Sequence, residues 1–82
     1  MQQHRRPRHE MPDFVRRALA ERGLTDAYEQ RPPYQRNDYV GWIVRAKREA
    51  TRQKRLAQML DELERGDRYM NMAYRAKQAP SL

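Results

Sequence analysis

Between Tyr39 and Leu63 the apolar residues fall twice into one spacing. Tyr39, Trp42, Ile43 and Ala46 stand at i, i+3, i+4 and i+7, and Leu56, Met59, Leu60 and Leu63 repeat the pattern. With 3.6 residues per turn, that spacing gathers each quartet on one face of a helix. Two apolar helix faces this close in sequence are best hidden by packing together, so the chain is predicted to build its fold around a helix pair. A strand is the rival reading for Tyr39-Val-Gly-Trp-Ile-Val44, which is rich in β-formers. Length and flanks decide against it, because no turn signal bounds the run and no other segment offers a partner strand.

The breakers set the limits of these helices. Arg31-Pro32-Pro33 cannot lie inside a helix, since residues before proline avoid the α region, but Pro33 can open one that runs to about Lys47. The last helix is predicted over 49–65, stopped by Gly66. Asp61 and Arg65 are spaced for an i, i+4 ion pair within it. Upstream, Pro12 is placed as a first helical residue, Asp13 suits the helix dipole and Gly23 ends a helix over 12–22. A short helix over 26–30 follows, with Thr25 as its N-cap and Leu24 as a staple residue. Gly41 costs a helix about 1 kcal/mol relative to Ala, so it is expected to mark a point where another helix crosses closely.

Length constrains what surrounds the pair. The chain has 82 residues, the size of one small domain without a large enclosed active site. Such a chain buries only about 60% of its unfolded surface, so nearly every apolar side chain is needed inside. The expected fold is all-α, a small bundle of three main helices and one short helix. Its centre would be Leu19, Tyr39, Trp42, Ile43, Ala46, Leu56, Met59, Leu60 and Leu63, and Trp42→Ala is expected to unfold it. The organisation read is a disordered basic arm over 1–11, a helical domain over 12–66 and a tail over 67–82. Tyr69, Met70, Met72 and Tyr74 would pack back over the bundle as an extended strap or a further helical turn.

The chain carries few groups that chemistry could use. It has no cysteine, so neither a disulfide framework nor a thiolate metal site can form. His4 and His9 are the only histidines and lie in the arm, where no rigid set of three or four ligands surrounds them. Ser81 sits at the C-terminal end, while Thr25 and Thr51 read as helix caps. No nucleophile–base–orienter set can be assembled, and Asp61, Glu62 and Glu64 read as a solvated helix face. The expectation is a non-enzyme with no cofactor and no metal. No apolar run approaches a membrane span and no apolar stretch follows the charged N-terminus, which reads as a cytoplasmic protein.

Charge is the remaining signal. The net charge is +7 and the isoelectric point about 10.4. Arg45, Arg48, Arg52 and Arg55, with Lys47 and Lys54 nearby, form a ridge that borders and partly overlaps the Leu56–Leu63 face. These arginines are the candidate contacts for an anion or a partner. For Arg52 the favoured reading is structural, with its stem on aromatics and its guanidinium on a carboxylate such as Asp38 or on a carbonyl. For Arg48 and Arg55 a solvated face and a binding ridge stay equally open. Tyr39 and Trp42 are read as core rather than base-stacking residues, while Tyr34 and Tyr74 are freer.

One string in the second half resembles a known family. Trp42-Ile43, Ala46-Lys47, Thr51-Arg52 and Arg55-Leu56 give W-I-x-x-A-K-x-x-x-T-R-x-x-R-[IL], preceded by Pro32-Pro33 and Tyr39 and followed by Met59-Leu60, Leu63 and Gly66. A weaker upstream match is Pro12-Asp13-Phe14, Ala18-Leu19 and Ala27-Tyr28. The pattern looks like the YdeI/OmpD-associated family, also labelled bacteriocin-protection proteins, in a stand-alone form of its C-terminal helical domain. The resemblance implies an all-helical fold and no catalytic residue. The function expected is a non-enzymatic interaction module whose role touches stress or antimicrobial-peptide tolerance, with a protein as partner. The alternative is a nucleic-acid binder using the arm and the ridge at 45–55, and a third reading is contact with an anionic membrane through the arm.

Overall fold

The computed structural model describes residues 9–75. The sequence-based expectations for residues 1–8 and 76–82 lie outside the described residues. The chain is predominantly helical, in the order α1 (Asp13–Glu21), α2 (Thr25–Glu29), α3 (Pro33–Arg45) and α4 (Glu49–Arg65), followed by a two-stranded hairpin of β1 (Arg68–Tyr69) and β2 (Met72–Ala73).

Local chemistry sets each boundary. Pro12 stands just outside α1 as its N-cap, and its carbonyl accepts the N–H groups of Val15 and Arg16 at 3.1 Å. At the other end Gly23 turns left-handed with φ +68°. There Gly23 N–H donates to Ala20 and Leu24 N–H to Leu19, the paired closure of a Schellman end. That closure fixes Leu24, whose carbonyl then accepts Tyr28 N–H and opens α2. Leu24 therefore takes the N-cap position expected of Thr25, which is already helical. Pro33 begins α3, and α4 ends at Gly66 with φ +82°. Thr51 lies inside α4, whose N-cap position is held by Arg48.

The core joins all four helices through Val15, Leu19, Leu24, Tyr28, Tyr39, Val40, Ile43, Leu56, Met59, Leu60 and Leu63. Ala46 is buried as well, but Trp42 is only partly buried and packs on the edge of this cluster. Gly41 is approached most closely by the N-terminal segment, in place of the expected helix crossing. A Cβ there would come within 2.7 Å of the His9 imidazole, while His9 N–H donates to Asn37 Oδ1 at 2.8 Å. The expected Asp61–Arg65 pair is replaced by tertiary and terminal partners, with Asp61 3.7 Å from Arg22 and Arg65 3.6 Å from Asp67.

The hairpin is the element that the sequence did not announce. Its register pairs Arg68 with Ala73 and Tyr69 with Met72. The loop residues Met70 and Asn71 have φ +51° and +66°, the left-handed pair that a two-residue hairpin turn requires. Asn tolerates this conformation, but Met does not favour it, so something outside the hairpin must hold the turn.

Candidate interaction surface at the helix joint

The joint between α3 and α4 brings Arg45, Arg48, Arg52 and Arg55 together, and it divides them by role. A helix leaves its last carbonyls without intrahelical donors. Arg55 reaches back from α4 and donates to the Trp42 carbonyl at 2.6 Å, with its guanidinium 5.2 Å from the centroid of the Trp42 ring. Arg52 donates to the Ala46 carbonyl at 2.8 Å and, through Nε and Nη2, to Glu49 Oε1 at 3.2 and 2.8 Å. These bonds, with one from Gln53, hold the Glu49 carboxyl below the usual carboxylate range. Asp38 takes no part in this, because it accepts the Tyr69 hydroxyl at 2.7 Å.

Two of the four arginines thus close the C-terminal end of α3. Arg45 and Arg48 instead stay exposed, together with Lys47, and none of the three side chains has a hydrogen-bond or carboxylate partner among the described residues. The joint therefore presents three uncompensated cations on a connection braced from beneath.

The polar centre of the molecule lies elsewhere, around residues that sequence reasoning passed over. Glu62, read as part of a solvated face, is 4% exposed. Its Oε1 accepts the Tyr39 hydroxyl at 2.6 Å and Met70 N–H at 2.8 Å, and its Oε2 accepts Asn71 N–H at 2.7 Å and Gln58 Nε2 at 3.1 Å. Burial alone would raise its carboxyl, but these four donors outweigh it and hold the group below the ordinary range. Burial and the bond to Glu62 push the Tyr39 phenol well above the usual tyrosine value. Arg31, also buried, donates to Gln35 Oε1 at 3.0 Å and to the Glu62 carbonyl at 3.1 Å, with its guanidinium 4.7 Å from the Tyr74 ring centroid. The only advance signal for Glu62 was its place beside the Leu56–Leu63 arc. Arg31, directly before Pro32-Pro33, gave none.

The Tyr69 ring meets Tyr39 and Tyr34 edge to face, at 5.4 and 6.0 Å between centroids. The hairpin is thereby seated on α3 as well as α4. Among the described residues no group of three or more His, Asp or Glu side chains is arranged to hold a metal ion. No helix among them is long and apolar enough to cross a membrane.

A family model described as bacteriocin-protection, YdeI or OmpD-associated matches residues 8–66. No curated protein and no solved structure matches the chain.

Proposed function

The chain belongs to the bacteriocin-protection, YdeI or OmpD-associated family, and we propose that it works as a small non-enzymatic module that docks an acidic protein surface on the α3–α4 joint. Family membership supports a small non-catalytic domain. The observation that carries the docking reading is the trio Arg45, Lys47 and Arg48, exposed and without partners among the described residues. Arg52 and Arg55 fix the connection that bears them, so little loop entropy is lost when a partner binds. Opposite charge on that partner would speed encounter and set its orientation. The family label speaks of bacteriocin protection.

The test is a pull-down with the full chain and with the triple variant Arg45→Glu, Lys47→Glu, Arg48→Glu. The wild type should retain a partner at moderate salt, and the variant should lose it while melting normally. A partner held equally by both would overturn the proposal.

The same trio also suits phosphates, which keeps the nucleic-acid reading with the basic arm as the alternative. Base stacking has little support at the joint, because the Trp42 ring is covered by Arg55. Titration with short oligonucleotides at low salt decides: no shifts at Arg45 and Arg48 removes that reading. Liposome co-sedimentation with and without residues 1–11 tests the anionic-membrane reading in the same way.

A further inference from the structure

Five arginines among the described residues are buried or half-buried: Arg31, Arg36, Arg52, Arg55 and Arg68. Four of them donate to a backbone carbonyl, of Glu62, Arg31, Ala46 and Trp42 respectively. Arg68 is the exception, its guanidinium having no hydrogen-bond or carboxylate partner among the described residues. The other four guanidinium groups are turned inward onto a carbonyl, whereas that of Arg68 is left available to solvent and to a ligand.

Arg68 faces a cleft of about 390 Å³ between α4 and the hairpin. Lys54, Gln58 and Arg65 line it from α4, and Asn71 lines it from the hairpin turn. Lys54 has no partner among the described residues, and Arg65 has only the loose contact with Asp67. Two carboxylates also reach the cleft: Glu62, which is engaged, and Asp61, which is as loosely paired as Arg65. Glu62 accepts four hydrogen bonds, and Asp61 lies 3.7 Å from Arg22. The bonds from Met70 and Asn71 to Glu62 fix the turn, which holds Arg68 at the cleft wall. Three cations on two elements converge on one concavity against two carboxylates, which leaves an excess of positive charge where field lines are focused and an anion is favoured.

We propose that this cleft binds a phosphate group, with Arg68 as the principal contact and Lys54 and Arg65 completing its charge. The fork of a guanidinium matches two phosphate oxygens at once, and the neighbouring ammonium suits a third. The site is separate from the α3–α4 joint and does not rest on the docking proposed there.

The test is an amide-resolved NMR titration of the full chain with sodium phosphate, with O-phosphoserine and with sodium chloride at matched ionic strength. Saturating shifts at Asn71 and Gln58 are expected with phosphate and not with chloride. Arg68→Gln and Lys54→Gln should each weaken binding by roughly tenfold, the loss of one charge-assisted contact. Unchanged melting of both variants separates lost binding from lost folding. Saturation by O-phosphoserine as well assigns a phosphate monoester, and saturation by phosphate alone assigns the free anion. Non-saturating shifts equal to those in chloride, or saturation that survives Arg68→Gln unchanged, would overturn the proposal.

Discussion

The Tyr39 hydroxyl donates to Glu62 Oε1 at 2.6 Å, and this single bond ties the middle of α3 to the last turns of α4 inside the core. The same carboxylate holds both N–H groups of the hairpin turn, so helix pairing and hairpin placement share one side chain. Glu62→Ala should strand a buried phenol and free the turn, costing about 3 kcal/mol. Tyr39→Phe removes only one of four donors and should cost about 1–2 kcal/mol. Urea melts measure both. Amide exchange adds a local readout, because Met70 and Asn71 should lose protection in Glu62→Ala and keep it in Tyr39→Phe.

The pH dependence follows from the same pair. Glu62 is held below its unfolded value of about 4.3, so its contribution is fully present above that pH. It is lost as pH falls through the lower folded value. Tyr39 is displaced upward, so its contribution is complete below about pH 10 and is lost as pH rises through the folded value. Stability measured in urea should be flat between about pH 5 and 9 and fall on both sides. Glu62→Gln should flatten the acid limb without abolishing it, because Glu49 is also held low. An unchanged acid limb in Glu62→Gln would show that other carboxylates carry it.

How much of this could be read in advance depended on the range of the interactions. The quartets at 39–46 and 56–63, the Pro32-Pro33 break and the closing glycines are local signals, and α3 and α4 follow them. The bonds of Arg52 and Arg55 to α3 carbonyls were half legible, since an arginine on an apolar arc must pair somewhere but its partner is set by the helix crossing. The return of the tail over the bundle was legible as one of two alternatives, an extended strap or a further helical turn, but the hairpin turn itself was not. Met70-Asn71 lacks the glycine that usually marks a two-residue turn, and the turn is held by a carboxylate eight residues upstream. Glu62 itself looked solvated because its four donors come from α3, from α4 and from that same unrecognised turn.

The division of the arginines at the joint makes opposite demands on two experiments. Arg55→Ala leaves the Trp42 carbonyl without its donor and uncovers the indole, so it should lower stability by about 2 kcal/mol. Arg45→Ala and Arg48→Ala remove exposed side chains and should change stability by less than about 0.5 kcal/mol. Urea denaturation of the three variants checks the ordering. Equal losses at Arg45 and Arg55 would mean that both are structural.

The core assignments order themselves by burial. Ile43 is fully buried, whereas Trp42 sits at the margin of the cluster under Arg55. Ile43→Ala should therefore cost about 3–4 kcal/mol, within the range for large-to-small changes in a closed core. Trp42→Ala should cost about 2 kcal/mol, roughly half the fully buried figure, and leave a cooperative transition. A Trp42→Ala protein with no cooperative melt would place the indole deeper than the helix joint allows.

Gly41 offers the sharpest test of how the N-terminal segment is held. Alanine in mid-helix gains about 1 kcal/mol over glycine, but its Cβ would meet the His9 ring at 2.7 Å. The ring belongs to a residue whose N–H bonds Asn37 Oδ1, so displacing the ring puts that contact at stake. In the wild-type background the two effects should nearly cancel, and Gly41→Ala should leave the melt almost unchanged while shifting the His9 resonances. In a His9→Ala background the steric term is gone, and the same substitution should stabilise by about 1 kcal/mol. The difference between backgrounds is the coupling energy of the His9–Gly41 contact. If Gly41→Ala stabilised equally in both, His9 would not rest on α3, and the glycine would need another reason to interrupt so regular a helix.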